Sequence, residues 1–152
     1  MSHAMSQPMH HLPDPAYDPA YYDGVLPKRF FAWVIDAGLI FATMILLSIF
    51  TAGIAFLLWI PIHAALAFLY RWITIRNRSA TLGMRVMSIE LRNRSGQPLT
   101  NGEAVLHTAV FLVGATFFLI QILSIGMMIA RPLNRGLADE ATGAVMLNCS
   151  AR

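Results

Sequence analysis

Two side chains of opposite charge, Arg29 and Asp36, stand seven positions apart at the start of a long apolar stretch. Seven steps of about 100° return a helix to within roughly 20° of the same face, so both side chains can face one neighbour. They are about 10 Å apart along the helix, which is too far for a direct ion pair. A carboxylate at the centre of a membrane helix costs about 2.5–3.5 kcal/mol. We therefore expect Asp36 to face protein or water rather than lipid.

The partners of Asp36 can be predicted by folding residues 30–75 into a hairpin about the midpoint of that run. Position 69 then lies level with Asp36, so Tyr70 and Arg71 lie within two residues of its level. Arg71 is a candidate counter-ion, and Tyr70 is a candidate hydrogen-bond donor. Two interpretations stay open: a buried ion pair that fixes helix packing, or a site that holds a cation or a proton.

The composition indicates which elements must position these residues. The 152-residue chain is 57% hydrophobic and only 12% charged, whereas soluble domains carry roughly 25% charged residues. The net charge is +3, and the arginines flank apolar runs, as they do on the cytoplasmic side of a membrane. We therefore expect a membrane protein and no nucleic-acid partner.

The first apolar run, residues 30–75, is too long for one membrane crossing. As a helix it would extend roughly 69 Å, more than twice the ~30 Å hydrocarbon core. It must cross twice, and each crossing must be helical because lipid cannot satisfy backbone polar groups. We predict helices at about 30–51 and 54–75, with the break at Thr51-Ala52-Gly53 and a kink near Pro61.

The second apolar run, residues 104–130, leaves two topologies open. A single helix of this length would extend about 40 Å, long for one span and too short for two. A broken or re-entrant hairpin, with a break at Gly114 or near 124–126, would keep Arg131 and Arg135 on the cytoplasmic side and is favoured for that reason.

The connecting and terminal segments complete the predicted organisation. Five arginines mark residues 76–103 as a cytoplasmic loop, so the N-terminus is cytoplasmic too. Period-2 alternation over 85–92 predicts a strand, and a second strand is predicted at 144–148. Residues 1–27 lack apolar periodicity and are predicted to be a disordered tail, and residues 149–152 a short C-terminal tail.

The sequence contains no pattern typical of an enzyme. It has no Gly-rich phosphate loop and no nucleophile elbow. Cys149 is the only cysteine, so no cysteine pair with metal-ligand spacing exists. We therefore expect no catalysis, no cofactor and no structural metal.

Three stretches in order, RFFAWVID, ATLGMRVMSIELRNRSGQPLT and RPLNRGLADEATGAVML, resemble motifs of the RDD family of bacterial membrane proteins, which is named for one Arg and two Asp. The resemblance covers about 28–148. Residue by residue, it assigns the family residues to Arg29, Asp36 and Asp139. Further matches are Thr81, Gly83, Arg85 and Gly143.

The resemblance adds two expectations about these residues. If Asp139 works with Arg29, both must lie on one side of the membrane, which favours the hairpin over 104–130. Thr81 and Gly83 are expected to terminate a short interfacial helix.

The sequence therefore predicts an all-α membrane protein of the bacterial inner membrane, with a transmembrane hairpin, a third apolar helical segment and a small cytoplasmic β element. Its domain is expected over 28–148. Two functions are compatible with it: cation or proton-coupled transport through an oligomer, or an accessory role in assembly or stress in which the buried charges are structural. The expected partners are lipid, further copies of the chain or other membrane proteins, and a monovalent cation or a proton.

Overall fold

The computed structural model describes residues 11–149, and most of them are helical. Two short strands complete the fold, which confirms the predicted predominance of helices with a small β element. The helices are α1 (Val25–Phe50), α2 (Ile54–Leu57), α3 (Trp59–Arg78), α4 (Leu82–Val86), α5 (Asn101–Thr116), α6 (Phe118–Ala130) and α7 (Leu137–Thr142); the strands are β1 (Ile89–Arg92) and β2 (Val145–Asn148).

Helix α1 begins five residues earlier than predicted. Gly24 precedes it with a φ of 63°, and Pro27 lies in the first turn, where a missing N–H costs no intrahelical hydrogen bond. The helical stretch Pro19–Phe50 is the one described segment that is long and apolar enough to cross a membrane as a single helix. This places Arg29 and Asp36 in the first half of the membrane-type helix.

The chain reverses after α1 at the predicted place, through Ala52 and Gly53, which have φ values of 50° and 88°. The helix that follows differs from the prediction of one element over 54–75. It is divided at Leu58 into α2 and α3, because Pro61 has no N–H for the carbonyl of Leu57 and its ring crowds that carbonyl. Helix α3 has 20 residues but is not apolar enough to count as a span, so the second crossing is not confirmed.

The apolar run 104–130 is broken once, and the two halves, α5 and α6, are bent by 117°. The break falls at Phe117, which has extended backbone, and not at Gly114 or near 124–126 as predicted. Gly114 stays helical, and a Cβ there would lie 3.7 Å from Ile120 across the bend. That distance is an ordinary van der Waals contact, so the close approach of the two halves does not require glycine at this position.

The loop between α3 and α5 contains more helix than predicted. Thr81 caps the start of α4, where its hydroxyl accepts the N–H of Met84 at 3.2 Å. Arg85, predicted to begin a strand, therefore lies in α4, because a side-chain cap outweighs the short alternating pattern. The strand begins at Ile89, and β1 pairs antiparallel with β2, with Ile89 opposite Asn148.

The N-terminal segment also differs from the prediction of a disordered tail over 1–27. Residues 1–10 lie outside the described residues, but from residue 11 onward the chain packs on the domain. Tyr22 is buried and donates its hydroxyl to the carbonyl of Pro13 at 2.6 Å. The amide of Asn148 donates to the carbonyls of Ala20 and Asp23. Aromatic burial and these hydrogen bonds order a segment that has no apolar periodicity.

The core lies at the sheet end of the helices. Ala32, Ile75 and Ala104 of the three long helical segments meet Leu91 and Met146 of the two strands. The far end of α1 is different, because Ile49 and Phe50 are 68% and 84% exposed. Arg29 and Asp36 are therefore positioned in the packed half of the molecule.

Candidate functional site

The site begins with the inward face of α1. Arg29 and Asp36 lie on that face with Ala32 between them, and the Arg29 side chain and the whole of Asp36 are 12% and 5% exposed. Because Ala32 is small, α4 approaches the helix backbone directly. A Cβ on Gly83 would lie 2.1 Å from the Ala32 carbonyl oxygen and 2.8 Å from Asp36 Oδ1. Glycine is therefore required at position 83 for α4 to reach Asp36.

Asp36 is held by three neutral donors from two other helices and their caps. Oδ1 accepts the Tyr70 hydroxyl at 2.5 Å and the Gly83 N–H at 2.8 Å. Oδ2 accepts the Thr81 hydroxyl at 2.5 Å. The structure thus brings together Asp36, Tyr70, Thr81 and Gly83. We call these four residues the Asp36 centre.

Asp139 is held by charged and aromatic partners instead. Its Oδ2 lies 2.6 Å from Arg29 Nη2 and accepts the Gly136 N–H at 2.9 Å, and its Oδ1 lies 2.9 Å from His107 Nε2. Asp139 is fully buried. We call Arg29, His107, Gly136 and Asp139 the Asp139 centre.

Burial by itself raises the pKa of Asp139, but three attractions outweigh it. The Arg29 guanidinium, the contact with His107 and the Gly136 N–H together hold the pKa of this carboxyl below its ordinary value. The Asp139 carboxylate is therefore ionised throughout the physiological range.

Helix α6 positions Asp139 through the start of α7. The N–H of Leu137 donates to the Ser124 hydroxyl at 3.0 Å. A Cβ on Gly136 would lie 2.2 Å from Met128 Cε and 2.8 Å from Ser124 Oγ, so a larger residue there would displace these two side chains of α6. The bend between α5 and α6 is what brings Ser124 and Met128 to this position.

Arg71 lies between the two centres and differs from its predicted role. No ion pair joins it to Asp36 among the described residues; its guanidinium lies 3.7 Å from the centroid of the Phe111 ring. Arg71 is 7% exposed, and it interacts electrostatically with Asp36, Asp139 and Arg29. Arg71 is therefore a shared counter-charge for both carboxylates rather than a direct partner of one.

The buried charges balance. Two arginines, Arg29 and Arg71, accompany two carboxylates, Asp36 and Asp139, so the set is neutral when His107 is neutral. Balance matters because an uncompensated buried charge costs several kcal/mol, about 3–5 when one member of a pair is removed. Within residues 11–149 no group of three or more His, Cys, Asp or Glu side chains forms a metal site.

A cavity of about 620 Å³ opens beside the two centres. Four polar side chains line it: Arg29, Asp36, Arg71 and Gln121. Arg29 Nη1 and Arg71 Nε are buried and have no hydrogen-bond partner within the described part of the chain. The rest of the wall is mainly apolar.

Two other residues matched by the resemblance lie outside both centres. Arg85 is half-buried on α4, and among residues 11–149 its side chain forms no hydrogen bond or ion pair with either carboxylate. Gly143 ends α7 with a φ of 70°, and a Cβ there would lie 2.0 Å from Arg94 Nε. Gly143 therefore serves the turn into β2.

Sequence reasoning missed His107, Gly136 and Phe111. His107 had a detectable signal, because it is an ionisable residue near the start of the apolar run 104–130 and such residues are functional candidates. Gly136 and Phe111 had none, since Gly136 matters through the turn into α7 and Phe111 through the packing of α5 against Arg71.

An apolar helix with a buried carboxylate, a bent pair of apolar helices and exposed apolar surface define a helical protein of the membrane type. The chain matches the family model of the RDD family over residues 24–143. It therefore belongs to the RDD family. Comparison with curated proteins and with solved structures found no match.

Proposed function

We propose that this RDD protein is a multi-pass protein of the bacterial inner membrane, with its N-terminus in the cytoplasm, and that it exchanges a monovalent cation for a proton as an oligomer. In this topology α1 and α2–α3 form the transmembrane hairpin, and α5–α6 is a re-entrant pair. The hydrogen bond from Lys28 Nζ to Asn148 at 2.7 Å supports the placement of both ends of the domain on the same side of the membrane. The 117° bend supports the return of α6 to that side.

The observation that carries the transport proposal is that Asp36 is buried in the apolar helix and lines a cavity. An ionisable residue inside a membrane segment costs free energy, so such residues are rare there, and those that occur often mark a pathway for ions or protons. The hydroxyls of Tyr70 and Thr81 can accept as well as donate hydrogen bonds. The three side chains thus offer an oxygen cluster for either a cation or a proton.

In the proposed cycle Asp36 holds a proton and a cation in turn. When a cation enters the cavity, the Asp36 carboxyl releases its proton to water, and the hydroxyls rotate to direct lone pairs at the cation. When the cation leaves, the carboxylate takes a proton from water and the total charge of the site is unchanged. The Arg29–Asp139 pair stays ionised and holds α1 to α7 during the exchange.

The small number of apolar helical segments supports an oligomer. Three apolar helical segments are few for a complete transmembrane pathway, and the far end of α1 exposes apolar side chains such as Phe41 and Phe50. Neighbouring copies would cover this surface and enclose the path. We expect the oligomer to act without catalysis, a cofactor or nucleic acid.

Asp36→Asn tests the proposal because it preserves the shape of the side chain and removes its charge. The purified protein is placed in liposomes that contain a pH-sensitive dye, and a sodium or potassium gradient is applied. We expect the native protein to move protons in the direction opposite to the flow of the cation. Proton movement with Asp36→Asn should fall to the level of empty liposomes, and Asp18→Asn should behave as the native protein. Asp18 is an exposed carboxylate outside the centres. Absence of cation-dependent proton movement with the native protein would refute transport.

A second candidate, a non-catalytic accessory role in membrane assembly or stress, is favoured by one observation. Every carboxylate oxygen of Asp36 and Asp139 already accepts at least one donor, and these donors come from several different elements. A set of charges that connects helices in this way suits a structural clamp. The accessory role predicts that Asp36→Asn reduces stability or partner capture, with no flux in the native protein to lose.

A further inference from the structure

The cavity beside the two centres has one polar end and an apolar body. At the polar end Arg29 Nη1 and Arg71 Nε are buried donors without a partner within the described residues. Buried donors left unpaired cost free energy, and the cost is larger for a charged group. A ligand that supplies acceptor oxygens to both guanidiniums would remove that cost.

An anionic group suits this end because its oxygens can accept from both guanidiniums. A guanidinium presents N–H groups in a planar fork that suits carboxylate and phosphate oxygens. Arg29 and Arg71 present two such groups to the same cavity. Their existing partners use other atoms: Arg29 contacts Asp139 through Nη2, and Arg71 lies on the Phe111 ring. An anion can therefore bind without breaking the Asp139 centre.

The ligand must be apolar beyond the anion. Phe111, which lies against Arg71, and Ile125 and Met128 are among the apolar residues of the wall. At the rim, Phe30 and Trp33 of α1 and Ile129 of α6 are 50–67% exposed. These apolar rim residues lie on the outer surface of the domain, where acyl chains surround a membrane protein. The volume of about 620 Å³ is within the range of roughly 300–1,000 Å³ that is typical of ligand pockets.

From this arrangement we propose that the cavity binds an anionic phospholipid. Its headgroup phosphate binds Arg29 and Arg71, and the part of an acyl chain nearest the headgroup lies between α1 and α6. A free phosphate would satisfy the arginines but leave the apolar wall and rim uncovered. The cavity is the one that the transport proposal uses, but the two proposals rest on different groups: the lipid on the unpaired N–H groups of Arg29 and Arg71, and the cation on the oxygens around Asp36.

The test measures quenching of Trp33, which lines the cavity. Trp59→Phe and Trp72→Phe leave Trp33 as the single tryptophan. The protein is placed in phosphatidylcholine nanodiscs that contain increasing fractions of brominated phosphatidylglycerol or brominated phosphatidylcholine. We expect phosphatidylglycerol to quench Trp33 with an apparent affinity about tenfold higher, which corresponds to about 1.4 kcal/mol.

Two variants on the same helix separate the site from general attraction between arginines and anionic lipid. Arg71→Gln removes the buried guanidinium and is expected to abolish the preference for phosphatidylglycerol. Arg78→Gln removes an exposed charge of α3 and is expected to keep it. Arg71→Lys keeps the charge without the guanidinium fork, and we expect it to keep part of the preference. Circular dichroism establishes that each variant is folded; if Arg71→Gln does not fold, Arg71→Lys carries the test.

Four results would overturn the proposal. The first is equal quenching of Trp33 by the two lipids in the native background, and the second is a preference for phosphatidylglycerol that survives in Arg71→Gln. The third is loss of that preference when millimolar inorganic phosphate is added. The fourth is protection of Trp33 from quenching by either lipid in a cross-linked dimer. The third result would assign the site to a free anion, and the fourth would assign the cavity to a second copy of the chain. Retention of the preference in Asp36→Asn, whatever its flux, keeps this proposal separate from the transport proposal.

Discussion

Asp36 and Asp139 are both buried carboxylates, but their surroundings differ in kind. Asp36 accepts two hydroxyls and one backbone N–H. Asp139 contacts a guanidinium and an imidazole in addition to one backbone N–H. Hydroxyls can reverse their hydrogen bonds, whereas a guanidinium can only donate. The Asp36 centre can therefore adapt to a change of charge, and the Asp139 centre is built to keep its charge fixed.

The largest expected effect is that of Asp139→Asn. This change leaves the Arg29 guanidinium buried without its carboxylate, and removing one member of a buried pair costs about 3–5 kcal/mol. We expect a loss of that size in the free energy of unfolding, measured with denaturant in detergent micelles. Glu140→Gln is the control, because Glu140 pairs with the half-exposed Arg131 and such pairs contribute about 1 kcal/mol or less. Equal losses in the two variants would contradict the assignment of Asp139 as a fixed charge.

Gly83→Ala tests the close approach that forms the Asp36 centre. Its Cβ would overlap the Ala32 carbonyl oxygen, so α4 must move and the hydrogen bond from the Gly83 N–H to Asp36 is lost. Overpacking of this kind costs about 1–3 kcal/mol. Gly38→Ala on the exposed side of α1 meets no atom within 4 Å, and it is expected to be neutral or to stabilise by less than about 1 kcal/mol. A stable Gly83→Ala with the native melting temperature would contradict this geometry.

Asp36→Asn sharpens the comparison because the same chemical change is expected to cost less here than at Asp139. The amide oxygen still accepts from Tyr70 and Gly83, and the Thr81 hydroxyl can rotate to accept from the new amide N–H. We expect a loss of about 1–2 kcal/mol in the same unfolding measurement. A loss as large as that of Asp139→Asn would show that Asp36 is a fixed charge as well.

The pH dependence of stability gives the smallest effect. The pKa of Asp139 is lowered in the folded protein. Its ionisation therefore contributes fully to the free energy of unfolding above the pKa of the unfolded chain, and this contribution is lost as the pH falls toward the pKa of the folded protein. With an unfolded pKa of about 3.9, the difference in unfolding free energy between the native protein and Asp139→Asn should narrow by about 1 kcal/mol from pH 6 to pH 3. A difference that widens on acidification would have the wrong sign for a carboxylate held ionised.

Some of this arrangement could be predicted from the sequence because it depends on helical periodicity. The seven-residue spacing of Arg29 and Asp36 predicts a shared face, and both are on the inward face of α1. Folding residues 30–75 about their midpoint placed Tyr70 level with Asp36, and the structure has them in contact.

The remainder depends on breaks that have no strong local signal. Phe117 ends α5 although neither Gly nor Pro is adjacent to it, so the approach of α6 to α7 could not be predicted. The period-2 pattern predicts a strand from residue 85, where the last two residues of α4 lie, because the pattern does not reveal the cap formed by Thr81 and Met84. Gly136 bonds Asp139 locally at the start of α7, and His107 meets Asp139 only where α7 packs against α5.

The pair of Arg29 and Asp139 has a consequence for how the protein is made. Arg29 enters the apolar environment with the first helix, while the residue that neutralises it is still to be synthesised near the other end of the domain. Until then the ribosome-bound chain must hold a solvated or lipid-paired cation at the membrane border. A chain interrupted before Asp139 therefore lacks the carboxylate that ties α1 to α7, and Arg29 keeps an unneutralised charge.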